Sequence, residues 1–253
     1  MHLINFINLR YFVEFAYNGT KYHGWQIQPN ANTVQQTLNS ALSVILRKPT
    51  ETMGAGRTDA GVHARQMYAH FDSDETLDCT KLVYKLNALL PEDIAVKNVH
   101  CVENEAHARF DAASRTYEYH IYLEKDVFTQ KLGWHYAKKL DVKLMNEAAE
   151  ILLGRHDFQC FSKSNTDVNN YYCTVSQAFW TESDHNLIFT IEADRFLRNM
   201  VRAIVGTLIN VGLGKIDINQ FKKIILTKDR SEAGLSVPAH GLFLTKVKYS
   251  YIQ

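Results

Sequence analysis

The run Gly54-Ala-Gly-Arg-Thr-Asp-Ala-Gly-Val-His-Ala64 sets one acid, Asp59, two residues after one base, Arg57, and brackets both with glycines. Glycine lets a backbone turn tightly or lie close to a ligand. A guanidinium beside a carboxylate favours the charged form, and an ionised carboxylate in a shaped pocket is a candidate covalent nucleophile. The same run reads G-x-G, which invites a nucleotide-loop assignment, but the spacing rejects it. Gly61 falls two positions too late for a dinucleotide fingerprint, and no Gly-Lys-Ser/Thr follows for a phosphate loop. Taken alone, an aspartate in a glycine-rich turn more often caps backbone N–H groups than performs chemistry.

Outward from this loop, Leu9 to Tyr17 alternates apolar residues with Arg10 and Glu14, as a half-buried strand does. Asn18-Gly19 then signals a turn. Thr33 and Gln36 form a capping box ahead of Val34, Leu38, Ala41, Leu42 and Ile45, which share one helical face. A helix over Thr80–Leu90 stops before Pro91, and a strand near Ala95–Cys101 follows. The second half repeats the mixture: a strand over Arg115–Leu123, a helix over Asp141–Leu153 ending at Gly154, and a hairpin of Cys173–Glu182 with Leu187–Asp194. Helices over Phe196–Val211 and near Ile218–Leu226 lead to a last strand over Gly241–Tyr251. Strands and helices interspersed with hairpins predict an α+β fold.

The chain has 253 residues, room for one large domain or two smaller ones, and a hydrophobic share of 46% that supports a real core. Four cysteines without C-x-x-C spacing argue against a zinc knuckle or a disulfide framework and suit a reducing cytoplasm. No apolar run approaches the roughly 18 residues of a membrane span. The opening Met1-His-Leu-Ile-Asn-Phe-Ile lacks the basic n-region of a signal peptide and reads as a short extension. A net charge of +1 does not predict nucleic-acid binding; RNA would require basic residues gathered on one face.

Several side chains outside the glycine loop have two readings. Arg115, Tyr117 and Tyr119 share a strand face, where a cross-strand aromatic pair is the ordinary role. Arg195, Arg198 and Arg202 fall along one edge of the expected helix, as a solvated basic edge would. Leu242 is an ordinary core residue. Lys21, Tyr22, His23, Trp25 and Gln26 read as a loop packed by its own aromatics, though basic and aromatic residues interleaved also suit RNA. Asp59 and His63 are four apart, a ligand spacing that needs a helix, and Gly61 between them argues against one.

Six runs in order resemble the TruA family of tRNA pseudouridine synthases. They are Phe15-Ala-Tyr-Asn-Gly-Thr-Lys-Tyr-His-Gly-Trp-Gln26, the Gly54–Ala64 run, Arg109-Phe-Asp-Ala-Ala-Ser-Arg-Thr-Tyr-Glu-Tyr119, Gly154-Arg-His-Asp-Phe158, Phe196-Leu-Arg-Asn-Met-Val-Arg-Ala-Ile-Val-Gly206 and Ala239-His-Gly-Leu-Phe-Leu244. The resemblance implies a pseudouridine-synthase fold: two related α/β subdomains, about residues 1–110 and 111–253, with a mixed, mostly antiparallel sheet flanking a central cleft. It implies isomerisation of uridine at tRNA positions 38, 39 and 40 in the anticodon stem-loop, with no cofactor and no metal. Asp59 would be the nucleophile, attacking either C1′ of the ribose or C6 of the base. Tyr117 would stack on the uracil, Arg202 would form a salt bridge aiming Asp59, and Leu242 would pack on the opposite side of the base. Arg57 would meet the flipped nucleotide or its phosphate, and the Lys21 loop would touch tRNA. Arg195 and Arg198 are RNA-contact candidates on position alone. A homodimer in the cytoplasm is implied as well.

One departure stands out: Ala233-Gly-Leu-Ser-Val-Pro-Ala239 replaces a family stretch that usually carries another proline. Two other classes make different predictions. A metal-dependent phosphoester hydrolase would lose activity in chelator, and a tRNA-binding module would bind without altering uridine.

Overall fold

Tyr11 to Phe15 are all buried in the first strand, β1 (Leu9–Tyr17), rather than alternating between core and solvent. The reason is that both faces are covered and the strand is central. The strand β3 (His63–Ser73) pairs antiparallel on one side of it, and β4 (Ile94–Val102) on the other. Glu14 is tolerated there because Gln66 Nε2 and Asn98 Nδ2 donate to its two carboxylate oxygens at 2.9 and 2.8 Å. Phe12 is covered by His70, Tyr249 and Tyr251. The computed structural model describes residues 9–163, 168–183 and 185–252. The extension expected at the N-terminus lies outside the described residues.

The chain divides into two compact units, one running to Ala113 and taking the chain back from Lys246, the other Ser114–Thr245. The first unit adds the short β2 (Met53–Gly54), paired to β3, and the helices α1 (Val34–Leu46) and α2 (Cys79–Leu89). Thr33 Oγ1 caps α1 by accepting from the Gln36 N–H, and Asp78 caps α2 through the Lys81 N–H. Asn87 of α2 brackets Val96 of β4, donating to its carbonyl and accepting from its N–H, both at 2.8 Å.

In the second unit the antiparallel order is β5 (Ser114–Tyr122), β9 (Asn186–Ala193), β8 (Tyr172–Ser183) and β7 (Gly154–Asp157). A short β6 (Trp134–His135) pairs with β5 in parallel, so the pairing is mixed but mostly antiparallel. The helix α3 (Val142–Glu150) packs on β8, on α4 (Met200–Gly212) and on α5 (Ile218–Thr227). Asn146 of α3 brackets Trp180 of β8 as Asn87 brackets Val96. In each unit a helix asparagine thus satisfies a strand's backbone, as buried polar groups require. The chain leaves the second unit within β10 (Leu242–Lys248).

The α+β class expected from the sequence is the one observed. Two further local readings change. No strand was expected between the Gly54–Ala64 run and α2, yet β3 starts at His63, within that run, and continues to Ser73. Its polar positions His63 and His70 are buried, and their partners Gly19 and Ala108 lie far along the chain, which periodicity cannot report. The helix expected from Phe196 begins only at Met200, because Asn199 takes a left-handed φ of 68°. Arg195 and Arg198 therefore precede the helix and do not share an edge with Arg202.

Candidate active site

The loop after β2 is held from three sides within the first unit. The Trp25 N–H donates to the Thr58 carbonyl at 3.3 Å, and the Gly61 N–H donates to the Tyr22 carbonyl at 3.2 Å. The Val62 N–H closes a turn on the Asp59 carbonyl at 3.2 Å. The hydroxyls of Tyr17 and Thr58 are 2.8 Å apart. A Cβ on Gly24 would lie 2.3 Å from the Thr58 carbonyl oxygen, and its φ of 88° disfavours any side chain. A Cβ on Gly54 would meet the Trp25 ring at 2.5 Å. Asp59 thus sits, half-buried, in a turn whose neighbours on both sides are fixed. Arg57 is exposed in the same loop.

The Lys21 segment supports this turn. Tyr22 and Trp25 are buried, which fits the reading of a loop packed by its own aromatics. The Tyr22 hydroxyl donates to Asp93 at 2.6 Å, and burial pushes its phenol pKa up. Lys21 is exposed, with its ammonium 3.5 Å from Asp93 and 3.8 Å from Glu92.

His63 belongs to the scaffold: it is buried, and its Nδ1 accepts the Gly19 N–H at 3.0 Å. Among the described residues no group of three or more His, Cys, Asp or Glu is placed to hold a metal ion. All four cysteines are free thiols, and burial raises those of Cys160 and Cys173 to about 12. Such thiols are poor nucleophiles at neutral pH.

The second unit assembles the other motifs. Tyr117 lies on β5 opposite Ile191, half-buried, and meets Phe196 edge-on at 5.1 Å between ring centroids. Its ring is therefore braced by the first residue of the Phe196–Gly206 run, a role that spacing did not reveal. Tyr119, on the same strand face, is fully buried opposite Phe189, and its hydroxyl donates to the Pro238 carbonyl at 2.9 Å. Arg202, in the first turn of α4, donates through Nε to the Val237 carbonyl at 2.7 Å. Leu242 opens β10 just beyond and is 7% exposed. Arg198 is exposed, and its carbonyl accepts the Lys163 N–H at 3.0 Å. Among the described residues no helix is long and apolar enough to cross a membrane.

Within each unit, then, a half-buried side chain, Asp59 in one and Tyr117 in the other, is carried on a backbone with few remaining freedoms. The family model described as tRNA pseudouridine synthase matches residues 15–111 and 148–250. A protein of Bacteroides fragilis named tRNA pseudouridine synthase A is 53% identical over 242 residues, covering 95% of this chain and 96% of the relative. The protein of the same name from Parabacteroides distasonis is 52% identical over 241 residues, with the same coverage. That of Bacillus subtilis is 41% identical over 238 residues, covering 92% of this chain and 96% of the relative.

Proposed function

The chain belongs to the tRNA pseudouridine synthase family, and on that premise we propose that it isomerises uridine at positions 38, 39 and 40 of the tRNA anticodon stem-loop, with Asp59 as nucleophile. The reaction class needs a carboxylate, an aromatic face and a basic partner. The bond between C1′ and N1 breaks, the uracil turns, and C1′ joins C5. C5 loses a proton and N1 gains one, so the reaction consumes no oxidant and no group donor. The Asp59 carboxylate can attack C1′, releasing the base, or C6, forming a base adduct; in either case it leaves at the end.

The other residues take roles that their chemistry supports. Tyr117 offers its ring to the flipped uracil and its phenol to the C5 proton. Arg202 supplies the cation that balances Asp59 in catalysis. Leu242 bounds the base on its apolar side, and Arg57 pairs with the phosphate of the flipped nucleotide, as a planar guanidinium does well. Lys21 and Arg198 contact the tRNA body. Extruding a stem base costs on the order of a few kcal/mol, which such contacts offset. The enzyme works as a cytoplasmic homodimer with no cofactor.

The single observation that carries the nucleophile is the three-sided anchoring of the Thr58–Val62 turn, which positions Asp59. The test is an unmodified tRNA transcript with uridines at the three positions, incubated with enzyme in chelator and mapped for pseudouridine at single-nucleotide resolution. Product at those positions, absent with Asp59→Asn while tRNA still binds, is the expected result. Binding without product from the wild-type enzyme, or product only after metal is restored, would overturn the reading.

A further inference from the structure

The turn over residues 107–111 carries an exposed aromatic ring on a fixed backbone. Every N–H in the turn is satisfied. His107 donates to Asp111 Oδ2 at 2.7 Å, and Asp111 returns its N–H to the His107 carbonyl at 3.0 Å. The Arg109 and Phe110 N–H groups both donate to His107 Nδ1, at 3.1 and 3.3 Å. Ala108 donates to His70 Nδ1 at 3.1 Å and accepts from the Tyr249 hydroxyl at 2.5 Å. The Tyr251 hydroxyl donates to Asp111 at 2.8 Å. Five consecutive residues are thus locked, yet the Phe110 side chain is 74% exposed.

An exposed phenylalanine by itself is unremarkable. Here its surroundings are specific. The His107 ring lies behind it at 4.3 Å between centroids, tilted by 35°. The Arg109 guanidinium sits over the ring at 5.5 Å from its centroid. An aromatic face backed by a second ring and flanked by a cation is the chemistry that holds an unpaired base and its phosphate. The backbone is ordered before binding, so little entropy is lost when a ligand docks.

We propose that Phe110 is a stacking platform for an unpaired nucleobase of the RNA substrate, with Arg109 engaging the adjacent phosphate. The inference rests on the reading of the chain as a tRNA-modifying enzyme. It concerns a different part of the RNA interface from the nucleophile turn.

The full-length enzyme is tested as wild type and as Phe110→Ala, Phe110→Leu and Phe110→Trp, using the unmodified tRNA transcript. Dissociation constant, KM, kcat, thermal midpoint and sedimentation are measured for each. Stacking is worth about 1–3 kcal/mol per base, so Ala should weaken tRNA binding by roughly 5-fold to 150-fold and raise KM in step. Leu should be equally weakened, Trp should bind like wild type, and the thermal midpoint should hold because the ring is exposed. Wild-type binding by Ala, or full rescue by Leu, overturns the proposal while leaving the enzyme's activity intact. A change of oligomeric state in Ala also overturns it, assigning the ring to a contact between copies. Absence of product from wild type is the separate failure of the activity itself.

Discussion

Arg202 and Val237 are joined in both directions: Arg202 Nε donates to the Val237 carbonyl at 2.7 Å, and the Val237 N–H donates to the Arg202 carbonyl at 3.2 Å. The next residue, Pro238, accepts the Tyr119 hydroxyl. Three motifs far apart in the chain, on β5, on α4 and before β10, therefore meet at one dipeptide. The altered Ala233–Ala239 stretch is thereby fixed without the extra proline, by hydrogen bonds from its neighbours.

That two-way clamp makes Arg202 more than a charge. Lysine keeps the charge but has no Nε at this depth and cannot copy the planar fork. Arg202→Lys should lower kcat by about tenfold or more, with KM for tRNA little changed. Steady-state kinetics on the transcript decide it; a wild-type kcat would mean that charge alone suffices.

Tyr119 should act on stability. Tyr119→Phe preserves the ring opposite Phe189 but leaves the Pro238 carbonyl without its donor. The carbonyl is part-buried, so losing its partner should cost about 1 kcal/mol, the low end of the range for an unsatisfied polar group. Urea unfolding measures this directly, and a loss below a few tenths would show that the hydroxyl bond contributes little.

Gly24→Ala probes the turn that carries Asp59. The added methyl would lie 2.3 Å from the Thr58 carbonyl oxygen, at a φ of 88°. The backbone must shift, at a cost of about 1–3 kcal/mol. Because Thr58 precedes the proposed nucleophile, kcat should fall further than tRNA affinity. Equal kcat in a destabilised variant would dissociate the clamp from catalysis.

His70 predicts an acid-side loss of stability. Burial chiefly, with Arg10 and His107 adding to it and Asp72 and Asp111 opposing it, brings its pKa from 6.5 down to about 4. The folded state therefore resists protonation that the unfolded chain accepts. Stability is fully present above pH 6.5 and declines as pH falls toward 4, by roughly 3 kcal/mol from this group. His107, also lowered mainly by burial, acts in the same direction. In His70→Asn, which retains an acceptor for Ala108, the slope of unfolding free energy between pH 6.5 and 4 should flatten. An unchanged slope would assign the acid loss to other groups.

The amino-acid sequence by itself determined the element types of the long periodic segments and the α+β class. Helices α1, α2, α3 and α5 and the β8–β9 hairpin follow from apolar spacing and caps, which depend on residues within a few positions of one another. It also marked Asp59, Tyr117 and Arg202 through ordered motifs. Only the tertiary structure decided which of their neighbours hold them. The Trp25–Thr58, Tyr119–Pro238 and Arg202–Val237 bonds join residues 33, 119 and 35 positions apart. Nothing in local spacing encodes such pairs. Strand β3 was hidden for the same reason, since distant donors and rings bury His63 and His70, and α4 was shortened by one left-handed residue, Asn199. Local propensity writes the elements, but hydrogen bonds between remote segments form only after folding has closed the intervening loops, and those bonds fix the site.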